Sequence, residues 1–248
     1  MGAELFDFNI NTLDFKDAIE KANICVENNR IAQIVTINPE MFSEAERNKD
    51  FAEVLDNAEI IVPDGIGVKI ALKIMGIESE RVPGIDLAKN LLKIAESKRW
   101  TVALIGAKEE IISKTVLNLK NELPNLNIVY AHNGYFDNDN IIYNELKQAK
   151  PQLILVAMGS PRQELFIYNA KKVLERGLMI GIGGSFDVWS GNIKRAPEIF
   201  QKTGTEWLYR TITQPERFKR IFPALPLFLL KTVKYRFLDR SFDYVRWS

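Results

Sequence analysis

Short apolar runs, rich in β-branched residues and nearly free of charge, recur along this chain at 31–37, 59–62, 101–105, 127–131, 152–158 and 178–182, and no other feature restricts its fold as much. Runs of this length without polar alternation read as strands covered on both faces. Between most of them lie stretches of helical periodicity, at 65–75, 86–97, 108–123, 140–149 and 162–176. Strands that alternate with helices are joined by crossovers, and crossovers favour parallel pairing with helices packed on the sheet. The expected fold is therefore α/β, a largely parallel Rossmann-like sheet flanked by helices. Ahead of it, 5–10 reads as one strand and 14–28 as an amphipathic helix.

The 248 residues, 46% hydrophobic, carry ample material for a core. Composition shifts near 196–197 and again after Pro215, which divides the chain into an α/β domain over 1–195 and a C-terminal appendage over 196–248. Within 210–248, nine Lys and Arg stand against three Asp and Glu, although the formal charge of the whole chain is only +1. An acidic body thus carries a basic tail, and the tail is the part expected to meet something anionic. There Phe218, Phe222, Phe228, Tyr235, Phe237, Tyr244 and Trp247 are interleaved with Lys219, Lys231, Lys234, Arg236 and Arg240. This pattern suits an interfacial membrane segment; the alternative is a helical pair packed on the body or on a second subunit. Nucleic acid is not expected of a chain so close to neutral. The longest apolar run, 221–230, holds two prolines and is about half of what a membrane-crossing helix needs. The chain is expected to lie on a bilayer rather than cross it. A single cysteine, Cys25, excludes a disulfide framework within the chain and fits a reducing cytosol, and no signal peptide is expected.

Ligands of open α/β sheets bind beyond the carboxyl ends of the strands, and four of the runs end in polar residues and glycines. They end in Thr36-Ile37-Asn38-Pro39, Pro63-Asp64-Gly65-Ile66-Gly67, Gly159-Ser160-Pro161-Arg162-Gln163 and Gly183-Gly184-Ser185-Phe186-Asp187. Asp64 has two readings: a general base whose pKa burial raises, or the N-cap of the helix that starts near Ile66. Gly183 and Gly184 can bring backbone N–H groups to a phosphate, or form a tight turn with no ligand. The Gly181 to Ser185 sequence is not the full dinucleotide fingerprint, and no early Gly-x-Gly-x-x-Gly supports a nicotinamide oxidoreductase on the same sheet. Asp137-Asn138-Asp139 has the spacing of a metal-holding Asp-x-Asp and also that of a solvated turn capping the next helix. His132 is the only histidine, which argues against a zinc site and leaves a histidine-dependent nucleophile one base. Arg210, Arg217 and Arg220 have the spacing of one helix face, which Pro215 interrupts, and suit a diphosphate or lipid headgroups.

Taken together, several blocks resemble the WecG/TagA/CpsF glycosyltransferases. They are Thr36 to Pro39, Pro63 to Gly67, Arg81-Val82-Pro83-Gly84-Ile85-Asp86, Met158 to Glu164, Gly181 to Asp187 with Arg195-Ala196-Pro197, Glu206-Trp207-Leu208-Tyr209-Arg210, and Pro215-Glu216-Arg217-Phe218. The likeness runs from about residue 30 to 222. It implies an inverting transferase that moves N-acetylmannosamine from its UDP form to the 4-hydroxyl of N-acetylglucosamine on undecaprenyl diphosphate in wall teichoic acid synthesis. A sister branch uses the uronic acid donor. It also implies independence of metal and other cofactors, a location on the cytoplasmic face of the membrane, and an appendage that completes the site. By matching motif, Asp64 is the base with Thr36 and Asn38 beside it, Gln163 contacts a sugar, Arg81 supports the pocket, and Arg210, Arg217 and Arg220 neutralise the leaving diphosphate. The family usually presents apolar residues where this chain has Thr203, Thr205, Thr211, Thr213 and Glu216, which suggests solubilising substitutions or a loosened homo-oligomer interface.

Overall fold

The computed structural model describes residues 2–206, 208–209 and 218–237. Its body is a six-stranded, wholly parallel sheet of β3 (Ile31–Ile37), β4 (Ile60–Pro63), β5 (Thr101–Gly106), β6 (Asn127–His132), β7 (Leu153–Ala157) and β8 (Gly177–Gly181), in the order β4-β3-β8-β7-β5-β6. The expected α/β class is what the chain adopts. Alternate residues of each inner strand feed opposite layers. Ile34, Leu104, Leu155 and Ile180 enter a core beneath α1 (Phe15–Glu27), α5 (Gly84–Lys98) and α6 (Glu109–Glu122). On the other face Ala103, Val156 and Met179 pack with α7 (Asp139–Ala149) and α8 (Arg162–Lys171), while Val35 and Ile61 pack with α2 (Pro39–Ala45), α3 (Lys49–Asp56) and α4 (Ile66–Ile74). One expectation fails at β6. It is the last strand of the sheet, so its residues alternate between exposed and half-buried rather than being covered on both faces.

The stretch read as one strand over 5–10 is a hairpin, β1 (Gly2–Leu5) with β2 (Phe8–Asn11), in which Leu5 pairs with Phe8. Its two-residue turn is Phe6-Asp7, both at positive φ. Such turns normally use Asn or Gly, and a bulky residue there costs about 1 kcal/mol or more. The compensation lies in burial. The Phe6 ring is enclosed and meets Phe42, Phe228 and Tyr235 edge-on at 5.7, 5.5 and 5.3 Å.

Two of those partners identify what else holds this layer. Phe228 and Tyr235 belong to α11 (Phe218–Phe237), which lies across α2 and α4, and both are buried in the same cluster as the hairpin. Lys231 Nζ reaches the Glu46 carboxylate at 2.6 Å, and Arg236 donates to the carbonyl of Met75 at 2.8 Å. The apolar run 221–230 thus sits in a helix docked on the body, and among the described residues no helix is long and apolar enough to cross a membrane. Two short helices, α9 (Ser185–Trp189) and α10 (Glu198–Lys202), complete the described elements.

Candidate active site at the carboxyl ends of four adjacent strands

Because every strand of the main sheet is parallel, all carboxyl ends face one rim, and β4, β3, β8 and β7 are neighbours along it. The four polar strand ends therefore converge. They line a cleft of about 360 Å³ into which Thr36, Asn38, Asp64, Arg81, Gln163, Gly183 and Gly184 all contribute. Gly204, Glu206 and Leu225, from beyond the α/β body, contribute as well. Every residue assigned to the site by matching motif and described in the structure is on this one surface. Arg210 and Arg217 lie outside the described residues, as do Thr211, Thr213 and Glu216, and the Arg220 side chain is outside them too.

Each position has a local cause. Asn38 ends β3 and caps α2, its side-chain oxygen accepting from the N–H groups of Glu40 at 2.9 Å and Met41 at 3.2 Å, with Pro39 opening the helix. Thr36 is buried two residues earlier, and α5 starts directly against it: a Cβ on Gly84 would stand 2.8 Å from Thr36 Oγ1. Only glycine lets this helix begin so close to the strand end. Asp64 follows β4, its N–H bonded to the Ile37 carbonyl at 2.8 Å, which continues the ladder one step beyond the sheet. The capping reading of Asp64 is not realised, because Gly65 is the N-cap of α4 and no side chain bonds there. The carboxylate is thus not engaged in capping, and it stands at the cleft.

Arg81 donates to the carbonyl of Gln201 at 2.8 Å, tying α10 to the cleft wall. A second tie is Arg195, whose guanidinium meets Asp86 through two bonds of 2.6 and 2.7 Å and approaches Glu206 at 3.7 Å. Hydrogen bonding to Asp86 is the main reason its pKa is raised further, so it stays charged. Asp86, Arg195 and Glu206 stood within the motifs quoted above, but nothing in their spacing shows that they meet, since 109 positions separate the first two.

Gln163 is 3% exposed and forms the wall between β7 and β8. Its Oε1 accepts from the N–H of Gly183 at 3.0 Å and of Gly159 at 3.2 Å. The Gly183 N–H is thus turned inward to Gln163 and not outward toward a phosphate.

The motifs on the other half of the sheet resolve blandly. Asn138, between the two aspartates of the Asp-x-Asp, is the N-cap of α7, accepting from Asn140 N–H at 3.0 Å. His132 ends the edge strand β6, its Nδ1 2.8 Å from the carbonyl of Asn133 and its ring stacked on Tyr130 at 6.2 Å. Neither lines the cleft.

An open parallel sheet with a carboxylate-bearing, glycine-cornered cleft at adjacent strand ends is the architecture of an enzyme that takes a nucleotide-linked or phosphorylated small molecule. Comparison with known proteins narrows this. Residues 3–241 match the glycosyl transferase WecG/TagA/CpsF family, a span that takes in the hairpin and α1 beyond the motif-bearing part. Over 228 residues the chain is 36% identical to the N-acetylglucosaminyldiphosphoundecaprenol N-acetyl-beta-D-mannosaminyltransferase of Bacillus subtilis, covering 91% of this chain and 88% of that one. It is 35% identical to the protein of the same name from Bacillus spizizenii over 91% and 90% of the two chains. The Staphylococcus aureus counterpart is 36% identical over 81% and 79%. The chain belongs to the WecG/TagA/CpsF family and is a glycosyltransferase.

Proposed function

We propose that this enzyme transfers N-acetylmannosamine from UDP-N-acetylmannosamine to the 4-hydroxyl of N-acetylglucosamine carried on undecaprenyl diphosphate, with inversion at the anomeric carbon, as a step of teichoic acid biosynthesis. The observation that carries this reading is the convergence of Asp64 with Thr36, Asn38 and Arg81 on one cleft, in a chain whose relatives are named for that transfer. Inversion needs one displacement and no nucleophile on the enzyme. Asp64 accepts the proton of the acceptor hydroxyl, the hydroxyl oxygen bonds to the anomeric carbon, and the bond from that carbon to the diphosphate breaks with its electron pair leaving on UDP. A base held on a strand end beside the helix-capping Asn38 and a buried Thr36 is well fixed for this step.

The departing diphosphate is anionic, whereas the charged side chains of the described cleft are three carboxylates, of Glu40, Asp64 and Glu206, and one guanidinium, of Arg81. Positive charge is needed from elsewhere, and Arg210, Arg217 and Arg220 are the residues we assign to it. No metal is assigned a part. The acceptor is a lipid, and α11 supports delivery at a membrane surface. Leu227, Leu230, Val233 and Phe237 follow helical spacing and are all exposed, at 54, 67, 42 and 73%, on a helix that also carries Lys234 and Arg236. We place the enzyme on the cytoplasmic leaflet.

The test is formation of a disaccharide lipid from UDP-N-acetylmannosamine and a short-chain lipid-diphosphate N-acetylglucosamine, with EDTA present. Product with this donor supports the reading. Product with only the uronic acid donor moves the enzyme to the sister branch, and loss of activity in EDTA refutes metal independence. Cosedimentation with anionic vesicles, and its loss on Leu230→Glu with Phe237→Glu, tests the membrane surface.

A further inference from the structure

Behind the cleft the fold buries a carboxyl group that the mechanism does not use. Glu164 follows Gln163 on α8, is 2% exposed, and accepts from Gln163 Nε2 on its Oε1 at 2.7 Å. Its other oxygen, Oε2, meets no donor. Neither does Oε1 of Gln33, a buried residue of β3 whose Nε2 donates to the Glu164 carbonyl at 3.1 Å. Two buried acceptors without a partner are a costly arrangement for an ionised Glu164. A protonated Glu164 carries no charge and adds a donor to this layer. Burial pushes its pKa up, against weaker pulls from hydrogen bonding with Gln163, with Ser160 and with its own backbone.

The Gln163 amide has two ends and little shape difference between them. With Oε1 toward Gly159 and Gly183 it accepts from both N–H groups; reversed, it would turn its own N–H₂ on them. Space on the far side is just as restricted, because a Cβ on Gly181 would stand 2.6 Å from Gln163 Nε2. We propose that Glu164 is a positioning residue that acts through Gln163: by taking a hydrogen from Nε2 it fixes Oε1 on the Gly159 and Gly183 N–H groups, and so sets the spacing of the two loops that wall the donor site. This rests on reading the cleft as the UDP-sugar site.

The experiment is calorimetric titration of UDP into the wild type and into Glu164→Gln, Glu164→Leu, Gly181→Ala and Asp64→Asn, with a thermal melt of each. Removing the acceptor at 164, or pushing the amide from position 181, is expected to weaken UDP binding about tenfold or more, whereas Glu164→Gln stays within about threefold because its side chain offers both an acceptor and a hydrogen. Asp64→Asn is expected to bind UDP as the wild type does. Folded Glu164→Leu or Gly181→Ala with wild-type affinity overturns the proposal. If Glu164→Leu fails to fold, Gly181→Ala decides it alone, and Glu164→Gln as weak as either overturns the neutral-acid account. A wild type that takes up no UDP sinks the transferase reading and this proposal together; equal uptake by all five proteins sinks only this one.

Discussion

The two halves of the sheet differ in what their carboxyl ends become. On β4, β3, β8 and β7, four polar strand ends that lie far apart in sequence meet as one cleft. On β5 and β6, the ends carry His132 and lead to Asp137 and Asp139, residue types as chemically capable as any in the cleft, yet His132 meets a neighbouring carbonyl, Asp139 accepts from the Tyr143 hydroxyl at 3.5 Å, and Asn138 between the aspartates caps α7. The difference is one of cover. β4 and β6 are both edge strands, but β4 is buried along its length beside the hairpin, with the Ile61 N–H bonded to Asn11 Oδ1 at 2.7 Å, while β6 alternates with solvent. The active half is also the half on which the hairpin and α11 are stacked, through Phe6, Phe42 and Phe228.

The comparison is broken most forcefully at that stack. Phe228→Ala should cost about 3–5 kcal/mol of stability, since a ring packed against two others leaves a cavity, and should lower activity as α11 loosens over the cleft; urea unfolding and turnover measure the two. A loss under about 1 kcal/mol would mean that α11 contributes little to this half. Next in size is Arg81→Ala, expected to lower kcat/KM about tenfold to a hundredfold by freeing the Gln201 carbonyl and removing the cation of the described cleft. Arg81→Lys keeps the charge but should recover only part of the loss.

A smaller effect tests the wall of the cleft through pH. Burial raises the Glu164 pKa in the fold above its ordinary value of 4.5. The folded state therefore holds this proton more tightly than the unfolded chain does. The associated stability is fully present below the unfolded value and is lost as pH rises through the folded one. Over that window Glu164 should contribute a fall of up to about 1.4 kcal/mol per pH unit, which Glu164→Gln removes. Comparing the urea midpoints of the two proteins at about pH 5 and about pH 7 measures this, and parallel slopes would contradict it. The smallest effects are expected on the other half: His132→Ala and Asp139→Asn should leave kcat/KM within about twofold, and a tenfold loss in either would break the contrast.

Much of this was legible in the residues. Apolar runs and helical stretches gave the six sheet strands, α1 and α4 to α8, because strands buried on both faces leave a strong signal, while α2 and α3 left none that was read; the polar strand ends named Thr36, Asn38, Asp64 and Gln163. The single strand expected over 5–10 failed because its turn is Phe6-Asp7, held at positive φ by tertiary burial that no local pattern announces. Strand order was equally hidden, so the meeting of Asp86 with Arg195 and the place of Glu164 behind Gln163 had to come from the fold. The capping reading of Asp64 was reasonable on propensity alone; the structure gives the cap to Gly65.

The most direct measurement is acceptor-dependent release of UDP from UDP-N-acetylmannosamine by the wild type and by Asp64→Asn, with melting temperature and UDP affinity measured alongside. The account predicts a fall in kcat of about a hundredfold to ten-thousandfold with folding and UDP binding intact, the range a lost general base produces. A folded Asp64→Asn enzyme that turns over at the wild-type rate would contradict it, and would move the chemistry away from the cleft that four strand ends build.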